Sequence, residues 1–153
     1  MQDRGSKPSS RHLGWIGLAA ALAVGCGGAE SGGGAQSPAG AGAPDQVAAG
    51  AKLYGEKCAE CHGAHGEGQP GPALVGKAAL PLDPPAGAKF RKVQFHTAAD
   101  VFKFVKATMP PKAPGTLSDA DYGAILAFDL KANGVAVDGK TVDASTAATF
   151  VLH

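Results

Sequence analysis

Cysteine is scarce in this chain, and the scarcity constrains it. Three cysteines in 153 residues are too few, and odd in number, for a disulfide framework. Cys26, Cys58 and Cys61 therefore each need a separate explanation. Methionine is rarer still, with only Met1 and Met109. Charge of one sign is also missing: the net formal charge is +1, and without residues 1–25, which hold Arg4, Lys7, Arg11 and Asp3, it is −1. A general nucleic-acid binder needs a concentrated basic surface, so that class is excluded. No long hydrophobic run is present either. The uncharged apolar stretch at 13–25 has thirteen residues, short of the roughly 20 that cross a membrane as a helix. No catalytic acid–base or nucleophile constellation stands out, and no enzymatic activity is expected.

What is present begins with an address. Residues 1–12 are polar and basic, and LGWIGLAAALAVG follows at 13–25, the pattern of an export signal. The run ends in Ala23-Val24-Gly25-Cys26, which resembles the lipobox of bacterial lipoproteins, where the cysteine is acylated and becomes the new N-terminus. Ordinary cleavage after Ala23 is the rival, and it leaves Cys26 a free thiol. Residues 27–44 hold seven Gly, five Ala and two Pro, without one large apolar side chain. Such a stretch buries too little surface to offset chain ordering, so 26–44 is expected to be a tether with a reach of roughly 20–25 Å. The domain is expected at 45–134, with an extension over 135–153.

The chemistry sits at Cys58-Ala59-Glu60-Cys61-His62. Thiols three residues apart on one helical turn reach the vinyl groups of one porphyrin, and the next imidazole meets the iron. Cys-x-x-Cys-His is the attachment signature of c-type haem. A zinc site would need a second Cys or His pair at ligand spacing. A thioredoxin-like pair would need a preceding strand, whereas QVAAGAKLYGEK reads as helix, with Val47, Ala51, Tyr54 and Cys58 on one face.

With His62 below the iron, Met109 is the expected ligand above it. It stands in Ala107-Thr108-Met109-Pro110-Pro111, where proline stiffens the chain that presents the thioether. A single Met is otherwise core filler. His96 is the alternative ligand, expected at the surface, and His65 follows His62 too closely to cross to the other face.

Together, Cys58–His62, Gly63-x-x-Gly66-x-Gly68, Gly71-Pro72-Ala73-Leu74, Met109-Pro110 and Leu117-Ser118-Asp119 resemble a small class I cytochrome c over residues 46–134. The resemblance implies an all-α fold, with three main helices and Pro/Gly-rich loops wrapped around one covalent haem. It implies that the Pro72 carbonyl orients His62, and that Gly50 and Tyr54 cross Ile125 and Phe128. Helices are expected over 46–57 with Asp45 as cap, from Thr97-x-x-Asp100 to 108 with Val101, Phe104, Val105 and Thr108 buried, and from Ser118 to 133 with Tyr122, Ile125, Leu126 and Phe128 on an apolar face. A short helix is expected near 143–148.

His/Met ligation fills both axial positions, which suits electron exchange rather than bond chemistry. The expected function is single-electron transfer between redox partner proteins in the cell envelope, on the periplasmic side, with Lys103, Lys106 and Lys112 as a docking rim or a solvated face. Ligand binding or peroxidase-like chemistry follows instead if Met109 is not on the iron. A haem subunit of a larger oxidoreductase is the third reading.

Overall fold

Pro44 suits the first turn of a helix, where no N–H partner is lost, and α1 accordingly spans Ala43–Lys57. Asp45 thus lies inside the first turn and not at the cap expected of it. The computed structural model describes residues 43–153; the leader, Cys26 and nearly all of the tether fall outside that range. A single turn, α2 (Ala59–His62), follows at once, joined to α1 by the bond from the Cys58 N–H to the Tyr54 carbonyl, 2.8 Å. Next come α3 (Ala98–Thr108) and α4 (Asp119–Ala132), then a 3₁₀ turn at Ala147–Thr149, which overlaps only the end of the helix expected near 143–148. Among the described residues, β-structure is limited to one isolated bridge, Thr97 with Val151. No described helix is long and apolar enough to cross a membrane.

Local chemistry explains where α3 and α4 begin and end. Asp100 reaches back to accept the N–H groups of His96 and Thr97, at 3.0 and 2.9 Å. Ser118 Oγ accepts the Asp121 N–H at 3.1 Å, while the Asp121 carboxylate takes the Ser118 hydroxyl at 2.7 Å. These reciprocal bonds satisfy donors that a helix start otherwise leaves orphaned. At the other end of α4, Val135 N–H reaches Leu130 O and Gly134 N–H reaches Lys131 O, with Gly134 at φ 80°. That is a Schellman ending.

The apolar face expected for α4 turns out to be almost its whole circumference: Tyr122 through Ala127, Asp129 and Leu130 are buried. On one side it meets α1 through Leu53, Tyr54, Ala124 and Ile125. Gly50 carries that crossing, since a Cβ there would lie 1.9 Å from the Ala124 carbonyl oxygen. The other side of α4 packs with Val101 and Phe102 of α3 and with Val137, Val142, Ala147 and Phe150 of the C-terminal segment. Of the stripe expected to be buried on α3, Val101 is buried while Phe104, Val105 and Thr108 are half-buried. Phe102, outside that stripe, is buried instead, packed in the core with α4 and the C-terminal segment.

Residues 135–153 thus supply four side chains to the main core, each worth about 1.5–3 kcal/mol if it is Val or Phe and fully buried. Gln46 on α1 clamps this segment, donating to the Val142 carbonyl and accepting its N–H, both at 2.8 Å. Loop 80–96 is held in turn by buried Arg91. Its guanidinium donates to the carbonyls of Leu82 and Val93 and lies 3.5 Å over the Phe95 ring.

Candidate functional site

The last carbonyls of a helix have no partner within it, and the chain after His62 supplies them. Gly68 N–H reaches His62 O at 2.7 Å and Gly71 N–H reaches Cys61 O at 2.6 Å. Gly66, at φ 78°, offers its carbonyl to the N–H groups of both Leu74 and Val75. The glycine-spaced loop is thereby folded back over the motif. Gly71 is pressed so closely that a Cβ would lie 2.8 Å from Cys61 O and 3.0 Å from the His62 ring.

This fold-back places the Pro72 carbonyl 2.8 Å from His62 Nδ1. A carbonyl only accepts, so Nδ1 must carry the proton. Nε2 then holds the lone pair. It has no hydrogen-bond partner among the described residues, although His62 is buried. An oriented imidazole with its far nitrogen free is the arrangement of an axial ligand.

Cys58 and Cys61 are unpaired and half-buried. Burial, then the charges of Asp129 and Cys61, push the Cys58 thiol up to about 12. The pocket therefore favours an uncharged sulfur, such as a thioether, over the thiolate that zinc requires. Nor does any group of three His, Cys, Asp or Glu side chains among the described residues have metal-binding geometry. Half-buried Leu74 and Leu117 share an apolar cluster with Cys58, as the rim of a porphyrin would need. The residues present fit a covalent haem.

Met109 closes α3, its N–H on Val105 O, and its side chain is half-buried. Buried Tyr122 donates its hydroxyl to Met109 O at 2.7 Å and accepts the Gly115 N–H at 3.1 Å. At the far end of α4, Asn133 donates to Leu74 O at 2.8 Å and accepts the Gly76 N–H at 3.1 Å. One helix thus anchors both the Met109 loop and the loop behind the motif. Sequence patterning assigned Tyr122 to an apolar face and Asn133 to a helix end, so neither anchoring role was visible there. His65 and His96 are exposed, and His96 Nε2 lies 3.0 Å from Gln94 Oε1. Lys103, Lys106 and Lys112 are exposed, with Lys106 paired to Asp119 at 2.5 Å.

Residues 45–128, more than half of the chain, match the family described as cytochrome C oxidase, cbb3-type, subunit III. The chain belongs to this family. Its fold is the all-α class I cytochrome c fold, and its cofactor is covalent haem c. A thiosulfate dehydrogenase of Stutzerimonas stutzeri (strain A1501) is 36% identical over 88 residues, covering 54% of this chain and 26% of that protein. The crystal structure of the sulfane dehydrogenase SoxCD from Paracoccus pantotrophus is similar at a TM-score of 0.53 and 29% identity. That likeness covers 69% of this chain and 52% of the other. This cytochrome chain therefore spans about a quarter of the first relative and half of the second.

Proposed function

We propose that the chain carries one haem c on Cys58 and Cys61, with its iron between His62 and Met109, and relays single electrons between redox proteins of the cell envelope. The observation that carries this is the His62–Pro72 bond of 2.8 Å, which leaves Nε2 free toward a ligand. When bound, the haem supplies a one-electron couple. The chain's own residues do the rest. Pro72 holds the imidazole tautomer, Tyr122 and Asn133 hold the two loops in register with α4, and the Met109 thioether would be the second ligand, leaving substrate no open site on the iron. A fixed ligand set changes little with oxidation state, which suits outer-sphere electron exchange without catalysis at the iron.

Met109→Ala is the direct test. The variant is expected to keep its covalent haem, lose the near-infrared band of methionine-ligated ferric haem, and bind CO rapidly. Wild-type protein that already lacks the band and already binds CO would overturn the carrier reading and favour ligand-binding or peroxidase-like chemistry.

The relatives support a second reading of the same electron transfer, in which the chain serves a larger oxidoreductase. Both are dehydrogenases by name, a thiosulfate dehydrogenase and a sulfane dehydrogenase, and in both the matched region is part of a longer chain. Co-purification of a dehydrogenase in stoichiometric amount distinguishes this from an independent carrier.

We further propose that residues 1–25 export the chain, that Cys26 is lipidated, and that 26–44 tethers the domain to a membrane on its periplasmic side. The support is the apolar run ending in Ala23-Val24-Gly25-Cys26. Cys26→Ser is expected to move the haem protein from the membrane fraction to the soluble envelope fraction. An unchanged distribution, with no acyl mass on the wild-type N-terminus, would remove the anchor.

A further inference from the structure

Asp129 bears on the site described so far only through its effect on Cys58. It is 7% exposed on α4, between Phe128 and Leu130. Its Oδ1 is buried without a hydrogen-bond partner, and no ion pair among the described residues includes it. Buried carboxylates are ordinarily paired or bonded, and an exception requires a reason.

The surroundings place this carboxyl at the haem motif. Tyr54 of α1 packs against Phe128 with ring centroids 5.1 Å apart, and Tyr54, Phe128, Leu74 and Cys58 share one apolar cluster. The Asp129 charge reaches Tyr54 from α1 and Cys58 at the α1–α2 junction, raising both. The other titratable groups acting on these two are Glu67 and Cys61, again acids. From its own helix, the Asn133 amide is spent on the carbonyls of Leu74 and Asp129. No cation is among the groups that act on Asp129.

We propose that Asp129 is a proton-binding site coupled to the oxidation state of the haem on Cys58. This rests on the haem reading given above. When a redox partner delivers one electron, ferric iron becomes ferrous and Asp129 takes one proton from solvent, so carboxylate becomes carboxylic acid. When the electron leaves, the proton returns to solvent, and no other bond changes. The physical cause is electrostatic. In a poorly polarisable interior a carboxylate stabilises the more positive ferric centre, so ferrous iron and the neutral acid favour each other. Burial holds the Asp129 carboxyl near 7, which sets the exchange at neutral pH.

The test is the midpoint potential of the full-length holoprotein from about pH 5 to about pH 9, followed optically after its haem is shown to be covalent. The potential is expected to fall as pH rises through neutral and to level off on both sides. A tenfold difference in proton affinity between the two oxidation states spans about 59 mV. Asp129→Asn is expected to abolish that step. Should this variant not fold, infrared difference spectra of wild type are expected to show a carboxylic-acid band that grows on reduction. A wild-type potential independent of pH overturns the proposal. So does an unchanged step in Asp129→Asn, which would assign the proton to another group such as a haem propionate. For an unfolded variant, the absence of the infrared band does the same. Protein without covalent haem overturns the underlying reading together with this one, so the two failures are distinct.

Discussion

Gly50→Ala is expected to destabilise the domain by about 3 kcal/mol or more and to lower its melting temperature by roughly 10 °C or more. One methyl group has this effect because of where it lands. An ideal Cβ on Gly50 would sit 1.9 Å from Ala124 O, 2.5 Å from Ala124 C and 3.1 Å from Phe128 Cβ. Two of these atoms are α4 backbone, so no rotamer change relieves the overlap and the helices must part. Parting them loosens the Tyr54–Phe128 contact and uncovers Leu53, Ala124 and Ile125. Helix propensity favours Ala over Gly by about 1 kcal/mol, and the clash outweighs it. Thermal unfolding of holoprotein followed by circular dichroism checks this. A melting temperature within a degree or two of wild type would mean the crossing is looser than described.

The second large effect is on stability against pH, and Asp129 causes it. Burial raises its carboxyl from 3.8 to about 7 in the folded chain, the reverse of the usual carboxylate shift. Below the unfolded value both states are protonated, and the group costs nothing. Above it the unfolded chain ionises first, so folding stability falls as pH rises from about 4 to about 7 and then levels off. A shift of this size corresponds to a loss on the order of 2–4 kcal/mol at alkaline pH. Asp129→Asn is therefore expected to be about that much more stable than wild type at pH 8 and nearly equal at pH 4. Denaturant unfolding at the two pH values measures it. Parallel curves for variant and wild type would show that the carboxyl is solvated or paired after all. This measurement is independent of the redox experiment, since a buried proton site need not be coupled to the iron.

The site and the fold were not equally visible in the one-dimensional chain. Attachment chemistry demands two sulfurs and an imidazole within five consecutive residues, and Cys58–His62 displays it openly. The caps of α3 and α4 depend on side chains three residues from their targets, so Thr97-x-x-Asp100 and Ser118-x-x-Asp121 were readable as well. Asp45 lies inside α1 because Pro44 is as good inside a first turn as before a cap. Phe102, outside the stripe expected for α3, is buried for a related reason. A stripe drawn for one buried face underestimates a helix covered by both α4 and the C-terminal segment.

What the sequence by itself determined is the haem motif at Cys58–His62, a short set of candidates for a second ligand, and the existence of the helices. All of these depend on residue type and near-neighbour spacing. Tertiary structure alone decided that residues 137–150 complete the core, that Gln46 clamps Val142 ninety-six positions away, and that α4 holds both haem-side loops through Tyr122 and Asn133. It also decided that Asp129, an ordinary charged residue in a helix by pattern, is buried with Oδ1 left unpartnered. Burial and unmet hydrogen bonds are properties of contacts between distant segments, and no local spacing encodes them.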